Sequence, residues 1–262
     1  RGAVMINNQV NLIEMGKLQA RTEAFRSRLE TTEEVIRYTL QWHQDAYVSS
    51  SFGKDSVVLL HLLIQLRPNI PVMFINSNYC FPDTYQVRDE FVRRYKINLH
   101  EIKQPYDYME LIYEYGLPHE RTRQQQKQVV ELLKKDLGNQ WAKDNQKSCC
   151  FWGLRKEESR GRAALLNSKG RTFYNETKGL FFSAPLADWK WEDIWAYIAE
   201  FNVPFSEIYT KQMFCDPRQI RNTSWITTDG LHKSGRLQWL RYYYPEYFNR
   251  LADAFPRITS YV

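Results

Sequence analysis

Apolar and polar positions alternate along this chain with two different periods, and the changes between them mark out the elements. Residues 5 to 44 carry a helical pattern, with Thr31 or Thr32 as an expected N-cap and Glu33 and Glu34 in the first turn. Ala46 to Ser49 then reads as a short strand entering a Gly-containing loop. Ser56 to Leu66 is apolar almost all round, as a helix buried against a sheet would be, and Pro68 follows its end. Pro71 to Ile75 predicts a second buried strand, Asp83 to Tyr95 a charged helix, and Asn98 to Ile102 a third strand.

Beyond that point the pattern becomes polar. Residues 106 to 145 predict mostly helix, with Gln124, Gln125 and Gln126 and several lysines, and read as a lid or as a solvated helical excursion. The sheet is expected to resume at Ser148 to Leu154 and again at Leu180 to Ala184. Lys190 to Phe201 places Trp191, Ile194, Trp195 and Ile198 on one helical stripe, which reads as core. The tail from Lys233 to Phe255 predicts two helical stretches broken at Pro245. Strand–helix alternation argues for an α/β fold: a mostly parallel twisted sheet with helices on both faces and helical additions at each end. The expected organisation is a helical segment over 1–44, a nucleotide-binding α/β domain over 45–222 with a polar insertion at 106–145, and a helical tail over 223–262.

Composition narrows the class of partner. The 262 residues are 43% apolar and 15% aromatic, enough for a substantial core, and the net charge of +6 favours anionic ligands. No apolar run approaches the roughly 20 residues that span a bilayer, so no membrane partner is expected. No signal-peptide pattern is visible, and a cytoplasmic location is the expectation. Cys80, Cys149, Cys150 and Cys215 form no CxxC pair and no disulfide framework, and reduced thiols are expected.

The candidate chemistry lies in Ser49-Ser50-Ser51-Phe52-Gly53-Lys54-Asp55-Ser56, between the first strand and the buried helix. Hydroxyl residues and Gly53 allow a sharp bend with exposed backbone N–H groups, and the helix N-terminus adds partial positive charge. Lys54 supplies a full charge, Ser56 a donor, and Asp55 either a ligand for Mg²⁺ or a helix cap. The spacing is not that of a Walker A loop, which places four residues between its first glycine and Gly-Lys. An ordinary strand-to-helix turn is the alternative reading.

Ser51 to Ser56 after a strand resembles the PP-loop of the phosphoadenosine phosphosulfate (PAPS) reductase family. Three further segments resemble that family in the same order. They are Phe74 to Tyr85, with Phe81-Pro82-Asp83-Thr84 close to its Phe-Pro-Glu-Thr; Gly153 to Arg160, its Gly-Leu-Arg-x-x-Glu-Ser element; and Pro185 to Ile198, its Trp-Asp-Ile-Trp segment, followed by Val203-Pro204 and Tyr209.

The resemblance implies a site residue by residue. Ser49, Ser51, Phe52, Gly53, Lys54, Asp55 and Ser56 would hold phosphates or sulfate. Asn76 and Ser77 would lie near the adenosine, although the family often carries Asp-Thr there. Arg155 and Arg160 would meet the anionic end, with a salt bridge to Glu157 or Glu158 as the alternative for them. Arg218 and Arg221 could close over the ligand from a loop. Lys54, Asp55 and Arg155 are the expected catalytic residues, and Asp188, Trp189, Asp193 and Trp195 are expected to be structural.

The resemblance stops at the C-terminus, where the family's reductases carry a Glu-Cys-Gly-Leu-His-like tail. No cysteine follows Cys215, so thiol-based reduction is not the expected chemistry. Cys149-Cys150 resembles half of an iron–sulfur site, but its second half is absent and no cluster is expected. The expectation is an enzyme that takes ATP (or PAPS) with Mg²⁺, directs attack on the α-phosphorus, releases pyrophosphate and adenylates an acceptor in sulfur metabolism or nucleic-acid modification. A sulfonucleotide reductase and a non-catalytic nucleotide sensor or partner subunit are the alternatives. The acceptor, a partner protein and homo-oligomerisation stay open, and no groove-reading motif marks a nucleic-acid partner.

Overall fold

The computed structural model describes residues 10–117, 121–133, 136–225 and 235–262. Its N-terminal helical segment is two helices. The first, α1 (Leu12–Ala20), is capped by Asn11, whose side chain accepts from the Glu14 amide at 3.1 Å. The second, α2 (Glu23–Trp42), is capped by Thr22, which accepts from the Phe25 amide at 3.3 Å. The cap expected at Thr31 or Thr32 therefore does not form. Both threonines lie inside α2, where Thr31 donates to the Ser27 carbonyl and Thr32 faces Pro185 and Trp189. Residues 5–9 of the expected helix lie outside the described residues.

Strand β1 (Tyr47–Ser49) leads through the Gly-containing loop into α3 (Lys54–Leu66), and β2 (Pro71–Asn76), α4 (Pro82–Tyr95) and β3 (Asn98–Lys103) follow. The polar insertion contains α5 (Tyr108–Tyr115), α6 (Arg123–Leu133) and α7 (Leu137–Asp144). Next come β4 (Cys149–Trp152), α8 (Arg160–Lys169), a hairpin of β5 (Thr172–Asn175) and β6 (Leu180–Ser183), and α9 (Trp191–Phe201). After the loop beyond α9 the chain ends in α10 (Arg236–Tyr243), α11 (Pro245–Ala254) and a short 3₁₀ turn, and the expected helix start at Lys233 lies outside the described residues.

Among the described residues the strands form one six-stranded sheet in the order β3-β2-β1-β4-β6-β5. All pairs are parallel except β5 with β6. The chain runs outward from β1 to β2 and β3, then returns to β4 on the other side of β1. This reversal opens a crevice at the carboxyl ends of β1 and β4, the usual ligand position in open α/β sheets. Ser49 ends β1 opposite both Met73 and Trp152, so the serine loop enters that crevice directly.

One continuous core joins α1, α2, α3, α4 and α9 to the sheet and takes in Leu237, Trp239, Phe248 and Leu251 of the C-terminal helices. Gly16 allows α1 to lie directly on α9, because a Cβ there would sit 2.3 Å from the Trp195 carbonyl oxygen. The opposite sheet face is covered in part by α7: Gly138 approaches Met73, and Trp141 packs on Tyr47 with ring centroids 5.1 Å apart. Part of the polar insertion is thus a layer of the fold rather than a solvated excursion.

His61 of α3 is buried and its Nδ1 lies 2.9 Å from Tyr197 Oη of α9. Burial first, and the charge of Arg94 second, lower its pKa to about 4. An unfolded histidine titrates near pH 6.5, so between these values the unfolded chain binds a proton the native state refuses. Stability is expected to be full above pH 6.5, to fall as pH drops towards 4, and to level off below. Urea midpoints measured across that window should show the slope, and His61→Gln should flatten it.

Candidate active site

Hydrogen bonds within the chain shape the loop. Ser50 donates its amide to the Met73 carbonyl at 2.9 Å, and its hydroxyl accepts from the Phe52 amide at 3.2 Å. Phe52 takes a left-handed backbone (φ 53°), and its ring is buried at centroid distances of 5.2 Å from Phe74 and 6.2 Å from Phe91. Its side chain is therefore an anchor for the turn and points away from the crevice. Gly53 caps α3, and Lys54, Asp55 and Ser56 form the first turn. Ser56 donates to the Gly53 carbonyl at 3.0 Å and stands 3.2 Å from the Ser51 hydroxyl.

A cavity of about 250 Å³ opens over this turn. Ser49, Ser51, Gly53, Lys54, Asp55, Ser56 and Arg221 of the expected residues line it. Residues that the sequence reading had not assigned to the site join them: Trp152, Glu158, Arg162, Tyr209, Asn222 and Thr223. Tyr209 was visible only as part of the family-like segment. Nothing local in the sequence marks Asn222, which comes from a loop about 170 positions away.

Lys54 is 3% exposed; its Nζ lies 2.6 Å from Asp55 Oδ2 and 5.7 Å from the centre of the Tyr209 ring. Its amide donates to Tyr209 Oη at 3.1 Å. Asp55 Oδ1 accepts from Arg155 Nε at 2.5 Å. Burial works against the Asp55 carboxylate, but Lys54 and Arg155 together outweigh it and hold its pKa down to about 2. Both carboxylate oxygens are thus committed to cations. Asp55 as placed does not fit a protein-held Mg²⁺, and among the described residues no three His, Cys, Asp or Glu side chains converge as metal ligands.

Arg155 lies buried beside the loop, paired with Asp55, and is not among the residues lining the cavity. It is 3% exposed, reaches Glu157 with Nη1 at 2.7 Å, and its amide donates to Glu158 at 3.1 Å. The salt bridge to Glu157 that stood as the alternative does form, but in a buried setting and alongside the pair with Asp55. Arg160 is exposed at the start of α8, whereas Arg162, one half-turn on, lines the cavity and pairs with Glu158. Arg218 turns outward to Glu192 at 2.7 Å and over the Trp191 ring. Asn76 is absorbed at the end of β2: Nδ2 donates to Glu101, and Oδ1 accepts from Tyr85 Oη and the Asn78 amide. Ser77 donates to the Thr223 carbonyl at 3.3 Å.

The strap from 209 to 223 is held over the loop by the Phe-Pro-Asp-Thr segment. Thr84 Oγ1 donates to the Asn222 carbonyl at 2.8 Å, while Asn222 Nδ2 donates to the Ser51 carbonyl at 3.2 Å. Asp83 accepts from Tyr244 Oη at 2.7 Å and pairs with Lys211, tying the strap to the junction of α10 and α11. Gly53 is required at this crossing, because a Cβ there would lie 2.8 Å from Asn222 Oδ1 and 3.2 Å from Tyr209 Oη. Gly53→Ala is accordingly expected to lift the strap. Overpacking of this kind costs roughly 1–3 kcal/mol. Urea unfolding of the variant should show a midpoint lowered on that scale, with an unchanged slope.

All four cysteines are buried and none lines this cavity. Cys149 and Cys150 point to opposite faces of β4, into different clusters, as successive strand residues must. Burial is the leading cause that raises each thiol, Cys150 to about 12. No helix of the described residues is long and apolar enough to cross a membrane.

An open, mostly parallel sheet with a serine- and glycine-containing loop at its reversal point defines a Rossmann-like α/β protein. Residues 45–257 match the phosphoadenosine phosphosulfate reductase domain, and the chain belongs to that family. It is 30% identical over 201 residues to the phosphoadenosine 5'-phosphosulfate reductase of Xanthomonas oryzae pv. oryzae (strain PXO99A), covering 76% of this chain and 78% of that protein. Among solved structures it resembles the PAPS reductase of Candida auris in its phosphate complex, with a TM-score of 0.54 and 20% identity over 79% of this chain and 92% of that one. It also resembles the FMN adenylyltransferase of Candida glabrata in complex with FAD and inorganic pyrophosphate, with a TM-score of 0.50 and 16% identity, covering 76% and 66% of the two chains. At these identities the two structures speak for the fold.

Proposed function

We propose that the crevice binds an adenine nucleotide with its anionic end against the Gly53–Ser56 turn, and that the chain activates the α-phosphate for transfer to an acceptor. The observation that carries this is the Lys54 ammonium, nearly fully buried at the N-terminus of α3 beneath the 250 Å³ cavity. Arg162 and Arg221 line the same space, so three cations face it against the carboxylates of Asp55 and Glu158. Backbone donors and fixed cations of this kind stabilise charge that develops on a departing pyrophosphate. No step is assigned to a metal, because both Asp55 oxygens are already paired.

The reaction this supports is attack by an acceptor nucleophile on the α-phosphorus. The bond to the bridging oxygen breaks, and pyrophosphate leaves along the loop. Asp55 is held ionised by Lys54 and Arg155, so it orients the ammonium and does not act as a proton acceptor near neutral pH. The named relatives favour a second reading, reduction of a sulfonucleotide. That chemistry needs a thiolate, and the four thiols of these residues are buried away from the cavity with raised pKa. A thiolate from beyond these residues, such as an added dithiol protein, would supply it.

Calorimetry with ATP, PAPS and inorganic tripolyphosphate, together with assays for AMP, pyrophosphate and sulfite, separates these readings. Binding of ATP with pyrophosphate release that depends on an acceptor supports activation. Sulfite release from PAPS with an added dithiol protein, and no turnover of ATP, overturns it in favour of reduction.

A further inference from the structure

A second cavity, of about 180 Å³, lies on the sheet face beneath α7 and meets the first at Ser49 and Trp152, which line both. Its floor is the alternate residues of four neighbouring strands, including Tyr47, Met73, Cys150 and Phe182. Trp152 and Phe182 stand with ring centroids 4.8 Å apart. Its roof is the start of α7, where Gly138 comes so close to Met73 that a Cβ would lie 3.2 Å from Met73 Cε. Beside it, Asn139 lines the cavity, and its side-chain Oδ1 is buried with no hydrogen-bond partner among the described residues.

We infer that Asn139 is the base-reading residue of the bound nucleotide, with the purine in this second cavity and its 6-amino group donating to Asn139 Oδ1. The inference rests on the adenine-nucleotide reading of the loop and names how the base is selected there. A nucleotide whose phosphates lie on the Gly53–Ser56 turn has its nucleoside directed past Ser49 and Trp152. Beyond them the walls are aromatic and apolar, which suits a flat heterocycle. A buried acceptor left unpaired is costly, and a ligand N–H removes the cost on binding.

The backbone that carries this side chain is also held in place. Asp136 caps α7 by accepting from the Asn139 backbone N–H at 3.1 Å, and its other oxygen pairs with Lys178 of the β5–β6 turn at 2.7 Å. Lys178 lies over the Phe182 ring at 5.7 Å, so the clasp closes the outer rim of the same cavity. A 6-oxo purine would set its carbonyl oxygen against Oδ1, two acceptors with no proton between them. Sites built on such a hydrogen bond reject the mismatched base more strongly than apolar pockets do.

The test is calorimetry of the full chain with ATP, inosine triphosphate and tripolyphosphate, for the wild type, Asn139→Leu and Asn139→Asp. The wild type is expected to prefer ATP over the inosine analogue. Asn139→Leu should lose about tenfold in ATP affinity, the worth of one hydrogen bond to a buried group, and keep its tripolyphosphate affinity. Its ATP preference should shrink by the same factor. Asn139→Asp, which keeps an acceptor, should retain the preference. An unchanged ATP preference in Asn139→Leu, or an equal loss of all three ligands in it, overturns the inference. So does a wild type that binds tripolyphosphate yet treats both bases alike, and there the loop assignment stands. A wild type that binds none of the three ends the nucleotide reading and this inference together.

Discussion

Lys54→Met is expected to weaken nucleotide binding roughly 100-fold, a loss of about 3 kcal/mol typical of one fixed donor facing phosphate charge in a shielded site. The side chain is nearly fully buried, so water cannot replace the missing ammonium. Asp55 also pairs with Arg155 at 2.5 Å, and the Ser50, Phe52 and Asn222 contacts of the loop do not involve the Lys54 side chain, so these are expected to persist. The fold should therefore survive, with a urea midpoint close to that of the wild type. Titration calorimetry with ATP and with tripolyphosphate checks the affinity. Equal binding by Lys54→Met and the wild type would move the anion site away from this loop.

Arg28→Met should be the most destabilising of the substitutions considered. Asp193, at the start of α9, is fully buried and takes both arms of Arg28, at 2.8 and 2.9 Å, as well as Gln19 Nε2 at 2.8 Å and the Lys190 amide at 2.7 Å. These bonds join α1, α2 and α9 at a single carboxylate. Removing the guanidinium leaves that charge buried with neutral donors only, and breaking buried pairs in this way costs about 3–5 kcal/mol. Urea unfolding should show a lower midpoint with an unchanged slope. Asp193→Leu in the Arg28→Met background should recover part of the loss, because the uncompensated charge is then gone. A double variant no more stable than Arg28→Met alone would place the energy in the packing instead.

Much of the fold was legible because its elements carry clean periodicities. The run from Val57 to Ile64 read as a helix buried against the sheet, and Pro71 to Ile75 as a buried strand, which the structure extends to Asn76 with Ile75 exposed. The β5–β6 hairpin was half visible: β6 was expected, but Thr172 to Asn175 is short, edge-placed and only partly buried, so its pattern was weak. The Thr31 or Thr32 cap failed because a capping residue needs an extended backbone, and helical packing around Thr32 denies it one. The insertion at 106–145 read as polar throughout. The fully buried residues of α7 are Gly138 and Ala142, with Trp141 packed beside them, and small residues leave little trace in a hydrophobic pattern.

The loop from Ser49 to Ser56 could be recognised without a structure because its chemistry is local. A strand, a bend and a helix N-terminus bring donors together within eight consecutive residues, and the order of residues dictates that geometry. The rest of the site depends on sequence separations of a hundred residues or more, where the backbone path decides. Tertiary structure alone turned Arg155 in beside the loop to pair with Asp55, turned Arg218 out to Glu192, and brought Arg162, Tyr209 and Asn222 over the turn. Charge type announces what an arginine can bind, whereas the side of the sheet from which it approaches is set by how helices pack on strands.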